Sequence, residues 1–393
     1  MNETGSIATG CDVTMKKLLF IAADDLTGAL DTGVQFAARG IPTRVSLLPW
    51  SPDGDDAVDV VCTNTRHLPP ETARDILRAL FASADGHFAH YMKKLDSTLR
   101  GNVGSELSGM ADALGGGTIH LLNAFPAAGR TTVGGIQYVH GTRLDQTSFA
   151  TDPFNPIRSA SIREITLYQA PELSNCLCIH DAQTDEDIDR AVQALPENTR
   201  MLAGCAGLAD GLARRWQQPQ RESPYICGPL LILCGSLNPV SGAQMDAARA
   251  QGIHTETPPD AFLHTQSDSH AAEARRLLTL LTHEPMIIRT PMPSGTLSMH
   301  SGDEMAQAMG RLFASLMRQG LSSPVLIVGG DTLDACMRCI GAHTLLPLAQ
   351  PLPGTALLHM DNLSVPLLSK AGGFGKTDTM IDLILRTKGG FIC

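Results

Sequence analysis

The chain has 393 residues, of which 43% are hydrophobic, 18% charged and 4% aromatic, and its formal net charge is −10. That length exceeds what one core ordinarily supports, so two domains are expected; the acidic balance and scarcity of aromatic rings exclude a polyanion-binding or base-stacking nucleic-acid surface. No apolar run reaches the ~18 residues of a membrane span and no basic region precedes an apolar one at the N-terminus, so no membrane partner is expected and the protein reads as cytoplasmic.

Residues 1–14 are small and polar and read as a disordered leader, ahead of an N-terminal domain over 15–213. Leu18 to Ala22 is predicted to be a buried strand, Asp24 to Thr27 its carboxyl-end loop, and Gly28 to Arg39 a helix stopped by Gly40. Val45 to Leu48 and Ala57 to Cys62 continue the sheet, and Pro70 to Ser83 supplies a helix. Strands alternating with helices at this spacing imply parallel strands with right-handed crossovers, whose following loops share one ligand-facing edge. At the first of those loops a dinucleotide binder would carry Gly-x-Gly-x-x-Gly. Asp24 and Asp25 stand there instead, suited to a substrate hydroxyl, a cation or a general base, and equally to capping the helix.

The densest chemistry follows Phe88 to Met92. Lys93, Lys94, Leu95, Asp96, Ser97, Thr98, Leu99, Arg100, Gly101 and Asn102 set three cations around one carboxylate and two hydroxyls. Such a set fits a small ligand that is both acidic and hydroxylated, because Lys and Arg take its carboxylate or phosphate while Asp accepts a hydroxyl proton. Arg66 follows the strand ending near Cys62, and Arg130, in Gly129-Arg130-Thr131-Thr132, follows Ile119 to Leu122; both add cations to the same edge. Asp152 to Ile157, rich in turn formers, is expected to border the site.

A polar stretch over 214–224 reads as a linker to a C-terminal domain over 225–393. There the pattern restarts: Leu230 to Cys234 precedes Gly235-Ser236, Met286 to Arg289 is another strand, Val325 to Val328 precedes Gly329-Gly330-Asp331-Thr332, and Val365 to Leu368 precedes Ser369 to Thr377. Three glycine-bearing loops after strands suit backbone cradles for phosphate. Gly375-Lys376-Thr377 is not a Walker A motif, since the first glycine that motif needs is here Lys370. Most of the ten cysteines are expected to be buried, reduced and inert, Cys336 and Cys339 being helix packing residues, and the histidines are scattered without a metal-binding motif.

Ala23-Asp24-Asp25-Leu26-Thr27-Gly28, the run Lys93 to Asn102, Pro126-Ala127-Ala128-Gly129-Arg130-Thr131-Thr132, Gly329-Gly330-Asp331 and Lys370-Ala371-Gly372-Gly373-Phe374-Gly375 together resemble the four-carbon acid sugar kinase family, over nearly the whole chain. The resemblance implies an α/β fold of two domains, each with a mainly parallel sheet flanked by helices, and an active site in the cleft between them. It implies ATP-dependent phosphorylation of the terminal hydroxyl of a four-carbon sugar acid, with the acid held by the N-terminal domain and ATP by the C-terminal one. The motifs are most similar to the D-threonate-phosphorylating branch, with D-erythronate and 3-oxo-tetronates as the alternatives. Carried over by position, substrate contacts would come from Asp25, Arg66 and Lys93 through Asp96. ATP contacts would come from Ser236, Gly329 or Gly330, and Gly372, Gly373, Phe374 and Gly375.

For phosphoryl transfer, Asp25 or Asp96 would orient the hydroxyl and take its proton, Arg100 or Arg130 would face the γ-phosphate, Ser97 would stand beside the substrate, and Mg²⁺ would bridge phosphates with help from Asp331. The metal ligands and the oligomeric state are not legible; a homodimer is the default assumption. Two other classes fit the same clusters: a non-catalytic sugar-acid or nucleotide sensor, and a hydrolase using Asp24 and Asp25, which lacks the Asp-x-Asp arrangement such an enzyme would use.

Overall fold

The computed structural model describes residues 17–152, 155–218, 226–258, 267–281, 284–290, 299–360, 363 and 365–389. The leader over 1–14, residues 153–154 of the bordering segment and most of the expected linker lie outside them; its first three residues, Arg214 to Trp216, are the last turn of a helix.

In the first half, β1 (Lys17–Ala23), α1 (Leu26–Ala37), β2 (Thr43–Leu47), β3 (Val58–Cys62), α2 (Pro70–Ala84), β4 (Phe88–Lys94), α3 (Val103–Ala113) and β5 (Ile119–Leu122) keep the expected alternation. A short hairpin then forms from β6 (Arg130–Val133), β7 (Ile136–Val139) and β8 (Thr142–Arg143). It is followed by α4 (Ile162–Gln169), β9 (Leu177–Ile179), α5 (Asp185–Gln193), β10 (Met201–Gly204) and α6 (Ala206–Trp216). Seven of these strands pair in parallel in the order β2-β3-β1-β4-β10-β5-β9.

The second half contributes β11 (Leu231–Cys234), α7 (Pro239–Ala250), β12 (His254–Glu256), α8 (Ser267–Leu280), β13 (Met286–Arg289), α9 (Met299–Arg318), β14 (Val325–Val328), α10 (Gly330–Cys339), β15 (Thr344–Ala349), β16 (Thr355–His359), β17 (Leu367–Lys370) and α11 (Thr379–Gly389). Its parallel block runs β12-β13-β11-β14-β17. An antiparallel pair absent from the sequence reading, β16 and β15, joins this block to β2, so the two halves share one 14-stranded sheet.

Alternation along β1 explains why the sheet is buried on both faces: Leu19, Ile21 and Ala23 enter one core while Phe20 and Ala22 enter the other. The first of these cores continues into the second half through Leu231, Leu233, Val325 and Ile327. In the first half β1 lies between β3 and β4, in the second β11 lies between β13 and β14, and the chain reverses its direction of winding at both places. Open α/β sheets bind ligands at such switch points, outside the carboxyl ends of the strands. The loops after β1, β3 and β4, and those after β11, β14 and β17, therefore form two neighbouring sets.

Candidate active site

Helix α1 starts at Leu26, two residues before the predicted start, because the Asp25 side chain caps it: Oδ1 accepts from the Gly28 amide at 2.9 Å. The other Asp25 oxygen accepts from Arg66 Nη1 at 2.8 Å, and Arg66 Nε donates to Asp24 at 2.7 Å. Its Nη2 lies 3.8 Å from Asp96. One guanidinium, carried on the loop after β3, thus ties together three carboxylates from two other loops, and they hold its pKa well above the ordinary value against the opposing effect of burial. Of the three, the Asp25 side chain is the most exposed, at 26% against 3% for Asp24 and 11% for Asp96. Burial would raise the Asp24 carboxyl, but Arg66, Lys93 and Lys94 outweigh it and hold the pKa below the ordinary value. Asp24 Oδ1 nevertheless has no hydrogen-bond partner within the protein.

Lys93 and Lys94 end β4 rather than following it. Each ammonium folds over the chain beyond it, Lys93 Nζ donating to the Lys94 carbonyl at 2.5 Å and Lys94 Nζ to the Leu95 carbonyl at 2.6 Å. Lys93 also pairs with Glu106 at 3.1 Å, and Glu106 accepts from the Thr65 hydroxyl. Burial raises the Glu106 carboxyl despite that lysine. Glu106 and Thr65 were not read from the sequence: a lone Glu in the first turn of a helix looks like dipole compensation until the fold sets it against Lys93. The Leu95 side chain is buried in the core, so its part in the cluster is its backbone.

Asp96 has the character of an anchor. Its Oδ2 accepts from the Thr98 amide at 3.1 Å, the Thr98 hydroxyl and Arg100 Nε at 3.0 Å, while Oδ1 accepts from Arg100 Nη2 at 3.1 Å. Burial opposes ionisation there, but Arg100 and Arg66 hold the carboxyl well below its usual range. Arg100 is engaged in turn with Asp152 at 3.5 Å and with the face of Phe149. The Ser97 carbonyl accepts from Asn123 Nδ2 at 3.3 Å, leaving Asn123 Oδ1 buried without a partner.

Arg130 behaves differently from Arg100. Its Nη1 donates to the Ala128 carbonyl, its Nε is buried without a partner, and its guanidinium lies over the ring of Phe374, 5.6 Å from the centroid, in the other half of the chain. Burial lowers its pKa, with carboxylate compensation only from Asp96.

In the second half, strand β17 extends to Lys370, two residues beyond the predicted end, so the glycine loop starts at Ala371. Gly372 approaches Ser236 more closely than any Cβ would allow, and Ser241 Oγ donates to the Gly372 carbonyl at 2.7 Å and lies 3.2 Å from Ser236 Oγ. Gln244, buried on α7, donates to the carbonyls of Phe374 at 3.0 Å and Lys376 at 2.8 Å, fixing the turn at Gly375, whose φ is +88°. Gly373 is exposed beside Asn238. Gly329, expected in a loop with the three residues after it, is the N-cap of α10 with φ +109°, and Gly330 and Asp331 form the first turn. Lys370 heads the glycine motif in the sequence but is not among the expected ATP contacts. Yet its buried ammonium donates to the Ala371 carbonyl at 2.8 Å, and burial brings its pKa down to about 8.

The two sets of loops meet. A Cβ on Gly330 would overlap Thr27 Oγ1, so the N-termini of α10 and α1, each a positive dipole end, converge beside Asp25 and Arg66. Asn64 Nδ2 donates to Asp334 at 3.1 Å across the same gap. Asp331 is exposed there, but crowding from surrounding atoms and then the charge of Asp25 raise its carboxyl.

Residues 19–174 match the model of a sugar-binding N-terminal domain and residues 231–380 that of a nucleotide-binding C-terminal domain. The chain belongs to the four-carbon acid sugar kinase family. Among curated members of that family it is 29% identical to a D-threonate kinase of Salmonella typhimurium, over 93% of this chain and 97% of that one. It is 24% identical to a 3-oxo-tetronate kinase of Brucella melitensis, over 91% and 93%. A D-erythronate kinase of Heliobacterium modesticaldum is 40% identical over 38% of this chain and 36% of its own. A solved Salmonella typhimurium LT2 structure, provisionally named a tRNA synthase, shares the fold with a TM-score of 0.78 at 21% identity, covering 93% of this chain and 98% of that one. This member of the family is accordingly a sugar-acid kinase with a nucleotide-binding half, and no described helix is long and apolar enough to cross a membrane.

Proposed function

We propose that this kinase transfers the γ-phosphoryl group of ATP to the 4-hydroxyl of D-threonate, with D-erythronate and 3-oxo-tetronates as the competing substrates. The observation that carries the reading is the near-contact of Gly330 with Thr27, which sets the glycine loops of one half against the acid-and-arginine loops of the other, with Thr27 Oγ1 in the place a side chain at 330 would take. Catalysis of phosphoryl transfer is mostly positioning and charge stabilisation, and this gap supplies both.

The unpaired polar atoms suit a polyhydroxylated acid. Asp24 Oδ1 and Asn123 Oδ1 would accept from its hydroxyls, and Arg66, Lys93 and Lys94 would set the positive field for its carboxylate. Asp25 would orient the attacking hydroxyl and take its proton, being the least enclosed of the three aspartates on Arg66; Asp96, saturated by donors, would hold the loop together with Arg100 and Ser97. Arg130, with an unspent Nε–H next to Phe374, would face the transferred group. Ser236, Gly329, Gly330 and Gly372 through Gly375 would cradle the triphosphate. Oxygen donors are the right chemistry for Mg²⁺, and among the described residues no three carboxylates bring their oxygens within 4.8 Å of one another, which suits an ion held mainly by phosphates and water with help from Asp331. Bound there, it would neutralise charge on the triphosphate.

An assay coupled to ADP release, run with D-threonate, D-erythronate and a 3-oxo-tetronate, tests the reading. D-Threonate is expected to give the highest kcat/KM, with ³¹P NMR locating the product phosphate on C4. Higher kcat/KM for another of the three would reassign the substrate, and no turnover with any of them would overturn the reading.

A further inference from the structure

Strand β9 is the outer strand of the shared sheet, and its register with β5 sets His120 directly opposite Cys178. His180, two residues beyond Cys178, returns to the same face. His120 Nδ1 lies 3.0 Å from His180 Nε2, Cys178 Sγ lies 3.7 Å from that same nitrogen, and the three donor atoms all fall within 4.8 Å of one another. The geometry points to a zinc site formed by His120, Cys178 and His180, separate from the phosphoryl-transfer cleft and independent of the reaction assigned to it.

Zn–N bonds of about 2.0–2.1 Å and a Zn–S bond of about 2.3 Å place tetrahedral ligands roughly 3.3 Å apart for two nitrogens and roughly 3.6 Å apart for nitrogen and sulfur. The observed 3.0 Å and 3.7 Å separations lie within about 0.3 Å of those distances. Two imidazoles and a thiolate are borderline-to-soft donors that discriminate against Mg²⁺ and Ca²⁺. All three residues are partly exposed at the sheet edge, so an ion can enter, and the fourth coordination position falls to water. Each neutral imidazole keeps one ring lone pair for the ion, and the Cys178 proton passes to solvent as the Zn–S bond forms. A lone hydrogen bond between the stacked rings would account for the 3.0 Å contact but gives no role to the sulfur on the same face.

The site has a mechanical consequence. The residue after His180, Asp181, accepts from the Gly134 and Gly135 amides at 2.5 and 2.9 Å, and Ala182 exchanges backbone hydrogen bonds with Thr132. An ion that pins β9 to β5 therefore also pins the hairpin whose first residue is Arg130. The metal acts on stability and takes no part in the chemistry.

The full-length reduced protein, freed of metal and kept in excess Mg²⁺ to occupy oxygen sites, is titrated with Co²⁺ and then Zn²⁺. One equivalent of Co²⁺ is expected to bind with a thiolate-to-cobalt charge-transfer band, Zn²⁺ to displace it, and the zinc form to unfold at a higher temperature. Cys178→Ser is expected to abolish the band. Since even outer-shell partners of a metal are worth about 10–100-fold in affinity, His120→Gln is expected to weaken Zn²⁺ binding at least tenfold. Cys227→Ser, at an exposed thiol elsewhere, leaves both unchanged. Circular dichroism and ADP-release activity check that the variants fold. No thiolate band in the wild type, a band that survives Cys178→Ser, or unaltered affinity in a folded His120→Gln would overturn the site.

Discussion

Arg130 and Phe374, which begin in different halves of the chain, lie face to face with the guanidinium carbon 5.6 Å from the ring centre. Phe374 also packs on Phe125, Cys205 and Ala206, so the glycine loop of one half is seated on the other through this ring. The contact holds a half-buried cation with an enclosed, unused Nε–H at the seam between the loop sets. Arg130→Lys keeps the charge but loses the fork, and removing such a transition-state donor costs on the order of 10²–10³-fold in kcat. Steady-state kinetics should show that loss with ATP affinity by calorimetry nearly unchanged; a kcat within a few-fold of wild type would take Arg130 out of the reaction.

Asp25 and Asp96 should separate cleanly. In Asp25→Asn the amide oxygen can still cap α1, so the fold survives while turnover falls by a hundredfold or more and ATP still binds. Asp96→Ala instead strands Arg100 and two Thr98 donors, and breaking a buried pair of this kind costs about 3–5 kcal/mol. Urea unfolding and activity measured side by side tell the two apart.

Gly330→Ala would drive a methyl group into Thr27 Oγ1, prising the helix ends apart and lowering kcat/KM. The second-site change Thr27→Ala removes that oxygen and leaves Thr27 Cβ at an ordinary 3.5 Å, so activity should recover in the double variant. If the double variant is as impaired as the single one, close approach is not what the glycine provides.

Lys370, with its pKa lowered to about 8 by burial, is charged at pH 7 and mostly neutral at pH 9. A polyphosphate favours the charged form, so nucleotide binding takes up a proton above pH 8 and apparent Kd rises by up to about tenfold per pH unit there. Calorimetry with ADP between pH 7 and 9.5 checks this. Lys370→Arg should flatten the profile, and a flat wild-type profile would remove the lysine from the cradle.

Asp31, on α1, has a carboxyl raised by burial to about 6 from an ordinary 3.8. Because the folded state holds that proton more tightly than the unfolded chain, its contribution is most favourable at low pH. Stability should fall by at most about 3 kcal/mol as pH rises from about 4 to 7. Asp31→Asn should erase that part of the pH dependence in urea titrations; an unchanged slope would refute the assignment.

Much of this arrangement is legible in the residues. The alternation of apolar runs with amphipathic segments gives β5, β13 and β14 at their observed bounds, because a parallel strand covered on both faces is a short, mostly apolar stretch. Lys93, Lys94 and Lys370 blurred the ends of β4 and β17, since a lysine reads as loop until its ammonium is seen to satisfy the next carbonyl. The β15–β16 pair escaped because β15 buries residues unevenly and carries Pro347, a residue that argues against a strand. Among the cysteines, Cys336 packs in the core as expected, whereas Cys339 is exposed at the helix end. The gathering of His120 with Cys178 and His180 could not be read at all: sixty residues separate the first from the last, and only strand register brings them together.

The backbone ladder from β15 to β2, in which Thr344 faces Ser46, Leu345 faces Val45 and the Leu47 amide donates to the His343 carbonyl at 2.8 Å, makes the molecule one sheet of fabric instead of two leaves on a tether. Any swing of one set of loops against the other therefore works against main-chain hydrogen bonds as well as against the side-chain contact across the gap.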